Sequence, residues 1–256
     1  MTRLIRFYCC LAITFSSLSV YGQTTEKPLT VVELYTSQGC YSCPPADTFL
    51  ETLSEQENTI TLSCHVTYWD YLGWKDTFSR QFCDNRQRSY QSLLKRGSRL
   101  GVYTPQMIIN GRYGGVGSRQ SFIKRLFSLD QQQQIPLQTI TLSSSGQQLA
   151  IELPQLSTTG TQGHIRHKAL TVWLLGTTGQ HLLPIDSGEN SGKRLPYTNP
   201  VEFVKNLGSW DGSSKTLKSL IEAVPTASRP VKDWVVLAQV APLGEIVAAG
   251  RFSVSP

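Results

Sequence analysis

Two cysteines separated by two residues, Cys40-Tyr41-Ser42-Cys43, stand between a stretch built for a buried strand and one built for a helix. That junction constrains the fold more than any other feature of the chain. Before it, Leu29-Thr-Val-Val-Glu-Leu-Tyr35 is β-branched and aromatic, bounded by Pro28 and a Ser37-Gln-Gly turn. After it, Ala46 to Glu57 carries Phe49, Leu50 and Leu53 at helical spacing. In such a junction the first thiol lies near the free N–H groups of the helix start. Those groups and the helix dipole favour the thiolate, the nucleophile of disulfide exchange. The second thiol is placed to resolve a mixed disulfide.

The pattern continues with a strand over Thr59 to Val66 and, after a tryptophan-rich loop, a long helix from Asp76 to Lys95 ending at Gly97. Met107-Ile-Ile109 reads as a further strand, turned by the hairpin signal Asn110-Gly111 toward a weak strand near Tyr113. Ser118 is placed to cap a last helix through Leu129, with Ile123, Leu126 and Phe127 on its apolar face. This order predicts an α/β domain over residues 28–130, with helices on both faces of one sheet. Gln131 to Gln134 and Pro136 read as a linker. Residues 136–256 change texture. Short apolar runs at Gln138–Leu142, Leu149–Leu153, Ala169–Leu175, Val235–Val240 and Glu245–Phe252 alternate with glycine turns. They predict a mostly antiparallel, sandwich-like β domain, with short helices at Pro200–Leu207 and Ser214–Ala223.

With 256 residues the chain has room for two domains and a leader. Met1 to Arg6 is short and basic, Phe7 to Val20 is apolar, and Val20-Tyr21-Gly22 ends on a small residue. This is the order of a secretory signal, expected over residues 1–22 and containing Cys9 and Cys10. The apolar run is shorter than the roughly 18 residues a spanning helix needs. The mature protein is therefore expected to be periplasmic or secreted and not integral to the membrane. The net charge of +6 falls by two with the leader, and no basic stripe carries interleaved aromatics, which argues against nucleic acid. In an oxidising compartment Cys40, Cys43, Cys64 and Cys83 can form disulfides, and four cysteines allow three pairings. Cys64 reads most simply as a small buried hydrophobe, and Cys83, on the helix that follows, is a candidate partner for it.

Val32-Glu-Leu-Tyr-Thr-Ser-Gln-Gly-Cys-Tyr-Ser-Cys-Pro-Pro-Ala-Asp47, His65-Val-Thr-Tyr-Trp-Asp-Tyr-Leu-Gly-Trp-Lys-Asp76 and Val102-Tyr-Thr-Pro-Gln106 resemble the signature of a secreted thioredoxin-like family, domain of unknown function 1223. Gly188-Glu-Asn-Ser-Gly192 is similar to it as well. The resemblance covers nearly all of the mature chain. It implies a thioredoxin-like fold for the N-terminal domain, export, and a cis peptide bond before Pro105, but no activity. Two features depart from ordinary thioredoxins. Gly39 precedes Cys40 where active thioredoxins commonly carry tryptophan, and Pro44 and Pro45 delay the helix start, holding Cys40 farther from it.

Cys40 is thus the candidate attacking thiol and Cys43 the resolving one, with Thr104 and Pro105 positioning a substrate chain. Trp69, Asp70 and Trp74 leave the C-terminal end of a strand on the same rim, where open α/β sheets bind ligands. They either line a substrate groove, with Asp70 as a proton acceptor, or close the core and cap a turn. His65 reads as a satisfied, partly buried histidine. No cofactor or metal site is predicted. A metal-carrier reading would need a ligand beyond the cysteines, His65 being the nearest. Gly188 to Lys193 lacks the spacing of a phosphate loop, and Arg194 replaces its Ser/Thr. His164 and His167 read as solvated. Two functions follow: thiol–disulfide exchange with protein thiols or disulfides, or a non-catalytic envelope binding protein whose Cys40–Cys43 disulfide stiffens a loop.

Overall fold

Strand β1, Thr30–Thr36, is buried along its whole length, as expected of an apolar run covered on both faces. The computed structural model describes residues 28–93, 101–133, 135–157, 169–221 and 229–254. The expected signal segment, Cys9, Cys10, the Lys95–Gly97 helix end, Gln134, His164 and His167 lie outside the described residues.

Side chains alternate across β1. Val32 and Leu34 point to one side and pack with Ala46, Phe49, Leu50 and Leu53 of α1 (Pro44–Ser54) and Ile123 and Leu126 of α3 (Gln120–Gln132). Tyr35 points to the other side and clusters with Cys83 and Tyr90 of α2 (Gln81–Leu93). Strand β2, Thr59–His65, runs parallel to β1, while β3, Gln106–Ile109, runs antiparallel to it and pairs with β4, Tyr113–Val116. The sheet order is β2-β1-β3-β4. A disulfide between Cys64 and Cys83 staples β2 to α2.

Helix α2 begins five residues later than its pattern predicts. The Asp76 carboxylate accepts the Phe78 amide at 2.8 Å and the Gln38 amide at 2.7 Å, which holds this stretch in a turn. Ser118 does not cap α3; the N-cap position is Arg119, with no side-chain bond. The Asn110-Gly111 turn forms as expected, with φ of 49° and 64°. A Cβ on Gly111 would come within 2.4 Å of the Gly244 carbonyl oxygen, so close approach as well as backbone conformation requires glycine there.

The second half is β-rich. Its five-stranded sheet runs β11-β8-β13-β14-β5: Val201–Trp210, Leu170–Thr177, Asp233–Val240, Ile246–Ser253 and Gln138–Thr139. A three-stranded sheet joins β12 (Lys215–Leu220), β7 (Gln148–Leu153) and β6 (Thr141–Ser145). Leu149, Ile151 and Leu153 meet Val172, Leu174, Val236 and Ala238 between these two sheets. The other face of the larger sheet presents Leu175, Val235 and Leu237 to Val31, Ile60 and Leu62 of the first sheet. A separate ribbon of β9 (Gln180–Pro184) and β10 (Arg194–Thr198) packs Leu195 and Tyr197 against Phe78.

Two expected helices are strands. All of Pro200–Leu207 except Pro200 falls in β11, whose pairing with β8 shifts register between Val201 and Phe203 and between Asn206 and Gly208. Such bulges break the two-residue alternation by which a strand is recognised. Ser214–Ala223 overlaps β12, an edge strand with mostly exposed polar side chains and therefore little apolar pattern of either period. Among the described residues the chain is mostly β, with several sheets and three helices.

Candidate functional site

Cys40 and Cys43 are joined by a disulfide in the turn between β1 and α1. The turn is wound by its own backbone: the Cys40 amide donates to the Ser37 carbonyl at 3.1 Å and the Cys43 amide to the Cys40 carbonyl at 3.2 Å. Cys43 is the N-cap of α1, and Pro44 occupies the first helical position, where a missing N–H costs nothing. The Ala46 and Asp47 amides donate to the Cys43 carbonyl at 2.8 and 3.2 Å. Tyr41 and Ser42 face solvent, whereas Cys40 is 1% exposed and Cys43 is fully buried.

Thr104, cis-bonded to Pro105 at the entrance to β3, donates its hydroxyl to the Cys40 sulfur at 3.2 Å. That hydroxyl in turn accepts the Trp69 indole N–H at 2.7 Å. The backbone of Trp69 also passes beside Gly39, the residue before Cys40. A Cβ at position 39 would stand 3.4 Å from the Trp69 carbonyl oxygen and 3.5 Å from its Cβ.

Asp70 and Trp74 hold the loop that carries Trp69. Asp70 accepts the Asp76 amide at 3.2 Å and the Ser79 hydroxyl at 2.8 Å, and burial raises its carboxyl above the ordinary range. Trp74 donates its indole N–H to the Gln38 side-chain oxygen at 2.9 Å. The structure thus brings Cys40, Cys43, Thr104, Pro105 and Trp69 together at one rim, with Asp70 and Trp74 bracing behind them.

His65 is fully buried and binds Asp76 through Nδ1 at 2.7 Å, between the rings of Phe78 and Tyr197. Its Nε2 has no hydrogen-bond partner. Among the described residues no group of three or more His, Cys, Asp or Glu side chains is arranged to hold a metal ion.

The second half of the chain reaches the site through the β9–β10 loop, whose role the pattern did not reveal. Asn190, fully buried, donates from Nδ2 to the carbonyls of Gln38 at 2.9 Å and Cys40 at 3.0 Å. Glu189 accepts the Tyr41 amide at 3.1 Å, and the Lys193 ammonium lies 4.8 Å from the Tyr41 ring centre. Asp47 is also unforeseen. It is an acid among the buried residues of α1, and burial pushes its carboxyl up to about 7; His65 and the Thr36 hydroxyl oppose that rise, and Asp76 adds to it. Its position four residues after Cys43 was the available signal.

Residues 31–239 match the model of a family described as protein of unknown function (DUF1223). No curated protein matches the chain. Among solved structures, the crystal structure of protein AGR_C_4864 from Agrobacterium tumefaciens is similar to it, with a TM-score of 0.73 and 29% identity over 89% of this chain and 96% of that one. HBP35 of Porphyromonas gingivalis shares the fold at a TM-score of 0.54 and 13% identity, over 89% of this chain and 76% of that one. Among the described residues no helix is long and apolar enough to cross a membrane.

Proposed function

The chain belongs to this family of unknown function, DUF1223, and since that name states no activity, we propose from the site itself that it is an exported thioredoxin-like protein that exchanges thiols and disulfides through Cys40 and Cys43. The observation that carries the reading is the Cys40–Cys43 disulfide at the start of α1 with the Thr104 hydroxyl bonded to the Cys40 sulfur. The succession β1, cysteine pair, α1, parallel β2, α2, antiparallel β3 and β4, then α3 supports the thioredoxin-like assignment. Two disulfides support an oxidising compartment, periplasmic or outside the cell.

In the exchange, a partner thiolate attacks the Cys40 sulfur. The Cys40–Cys43 bond breaks, and its electron pair leaves on Cys43, which takes up a proton. A second partner thiol, losing its proton, then attacks the partner's sulfur in the mixed disulfide and expels Cys40. The partner becomes a disulfide and the protein a dithiol. Thr104 stabilises the departing Cys40 thiolate by hydrogen bonding, and Thr104, Pro105 and Trp69 border the approach of the partner chain. Asp70 and Trp74 keep that border in place.

Thiol trapping in graded glutathione buffers tests the reading, with peptide mapping to separate Cys40–Cys43 from Cys64–Cys83. Reversible conversion of the Cys40–Cys43 pair is expected. A pair that stays oxidised in strongly reducing buffer, and whose protein is inert toward a small disulfide after forced reduction, would sink the proposal.

One observation favours a second reading. Cys40 is 1% exposed, and Asn190 clamps its carbonyl, as suits a structural disulfide stiffening the surface of a non-catalytic envelope binding protein. Partner capture that survives replacement of both cysteines by serine favours this second reading.

A further inference from the structure

Two hydrogen bonds in series end on the Cys40 sulfur. The Trp69 indole donates its N–H to the Thr104 hydroxyl oxygen at 2.7 Å, and that hydroxyl donates to Cys40 Sγ at 3.2 Å. The direction of the second bond follows from the chemistry of the first. A hydroxyl carries one proton and two lone pairs, whereas an indole N–H can only donate. Toward Trp69 the Thr104 oxygen must therefore accept, which leaves its single proton for the sulfur. An acceptor in place of the indole would draw that proton away from Cys40.

Both partners of the relay are tied to one helix. Asp84 of α2 accepts the Thr67 amide at 2.8 Å and the Thr67 hydroxyl at 2.6 Å, two residues before Trp69. Gln87, one turn later on α2, donates to the Tyr103 carbonyl at 2.7 Å, next to Thr104. Gln87 also accepts the Tyr68 hydroxyl at 3.1 Å, beside Trp69 in the chain. The Trp69 and Thr104 segments, distant in sequence, are thus fixed against the same support, which suits a bond whose geometry matters.

We propose that Trp69 is a positioning residue of the exchange, its indole N–H setting the orientation of the Thr104 hydroxyl and through it the stability of the Cys40 thiolate. This rests on the exchange reading above. In the second step a partner thiol loses its proton and attacks the partner's sulfur in the mixed disulfide. The bond from that sulfur to Cys40 breaks, and its electron pair goes to Cys40. The Thr104 proton already points at the sulfur that receives the charge, so no reorientation is needed at that moment. A hydrogen bond to the charged form favours that form. Neither Trp69 nor Thr104 gives up a proton.

Other groups around the relay act on the sulfur by separate routes. Tyr68 and Asp70 flank Trp69, Cys43 and Tyr41 belong to the cysteine turn, and Glu189 and Lys193 reach Tyr41 from the β9–β10 loop. Burial pushes the Tyr68 hydroxyl up to about 12, so it stays neutral where a thiol titrates. The Ser42 hydroxyl lies 3.4 Å from the same sulfur, but Ser42 faces solvent, which competes for its proton. All of these stay in place when residues 69 and 104 are changed, so their influence is shared by every variant compared below.

The test is a double-mutant cycle on the reduced protein, in which pH-dependent alkylation and peptide mapping read the ionisation midpoint of Cys40. Trp69→Phe keeps a ring without the N–H and should raise that midpoint by about 1 pH unit. Thr104→Val should raise it at least as far, and the double variant no further than Thr104→Val alone. An unchanged midpoint in Trp69→Phe overturns the role of Trp69. So does a Trp69→Phe shift that persists in full in the Thr104→Val background, since it then does not act through the hydroxyl. A wild-type measurement decides the matter even where a variant fails to fold. The proton resonance of the Trp69 indole N–H should move with the Cys40 midpoint, because a thiolate polarises the hydroxyl to which the indole donates. A resonance that stays still through that midpoint overturns the proposal. Each of these results leaves the exchange reading intact, whereas a wild-type Cys40–Cys43 pair that stays oxidised in strongly reducing buffer overturns both.

Discussion

A carboxyl group that titrates near 7 when folded, against an ordinary 3.8, ties stability to pH. Between those values the folded chain keeps the Asp47 proton and the unfolded chain has released it. Rising pH therefore destabilises the fold through that window, by at most about 1.4 kcal/mol per pH unit, and the loss levels off above about 7. Below the ordinary value both states are protonated and the penalty is gone. Replacing Asp47 by Asn should flatten the fall in melting temperature between about pH 4 and 7 and leave the oxidised variant more stable than wild type near pH 8. Parallel melting curves for the two proteins would contradict this. At this scale the cysteine pair and Thr104-Pro105 were legible because each is a short motif with its own local geometry. Asp47 was only half legible. Its place after Cys43 is written locally, but the strand that packs on α1, β10, arrives from the other half of the chain.

Among the contacts of the β9–β10 loop with the cysteine turn, the Asn190 side chain satisfies two carbonyls at once. Asn190→Ala would strip both the Gln38 and Cys40 carbonyls of a buried donor, a loss on the order of 2–4 kcal/mol. The melting temperature should drop accordingly, and hydrogen exchange should speed up at the Tyr41 to Cys43 amides. Glu189→Ala removes an exposed partner and should cost no more than about 0.5 kcal/mol. Similar losses from both variants would refute the clamp. Elements were legible where pattern and burial agree, as in β1, α1 and β3. They were illegible where bulges or exposed edges erase the period, as in β11 and β12, and where an early element waits on a distant partner. Cys64 reads as a small hydrophobe until α2 is laid over β2, which brings Cys83 to a Cα separation of 5.3 Å.

The two halves share an apolar layer in which Val31, Ile60 and Leu62 face Leu175, Val235 and Leu237. A second tie is fully buried: Arg86 of α2 bonds Glu33 of β1 at 2.5 Å and Gln239 of β13 at 3.2 Å. Neither half covers its own surface, so urea should unfold them in a single transition. Leu237→Ala, in the second half, should cost about 2–5 kcal/mol and shift that transition as a whole. Trapping at Cys40–Cys43 and circular dichroism should report the same midpoint; separate midpoints would show independent halves. This joint was not legible beforehand, because the pattern marks which faces are apolar but not which two will meet. The same holds in miniature beside Cys40, where the backbone of Trp69, from a distant loop, lies 3.4 Å from where a Cβ on Gly39 would stand. A methyl group at residue 39 would rest against the Trp69 backbone in ordinary contact, so alanine is admissible there whether or not the indole is kept.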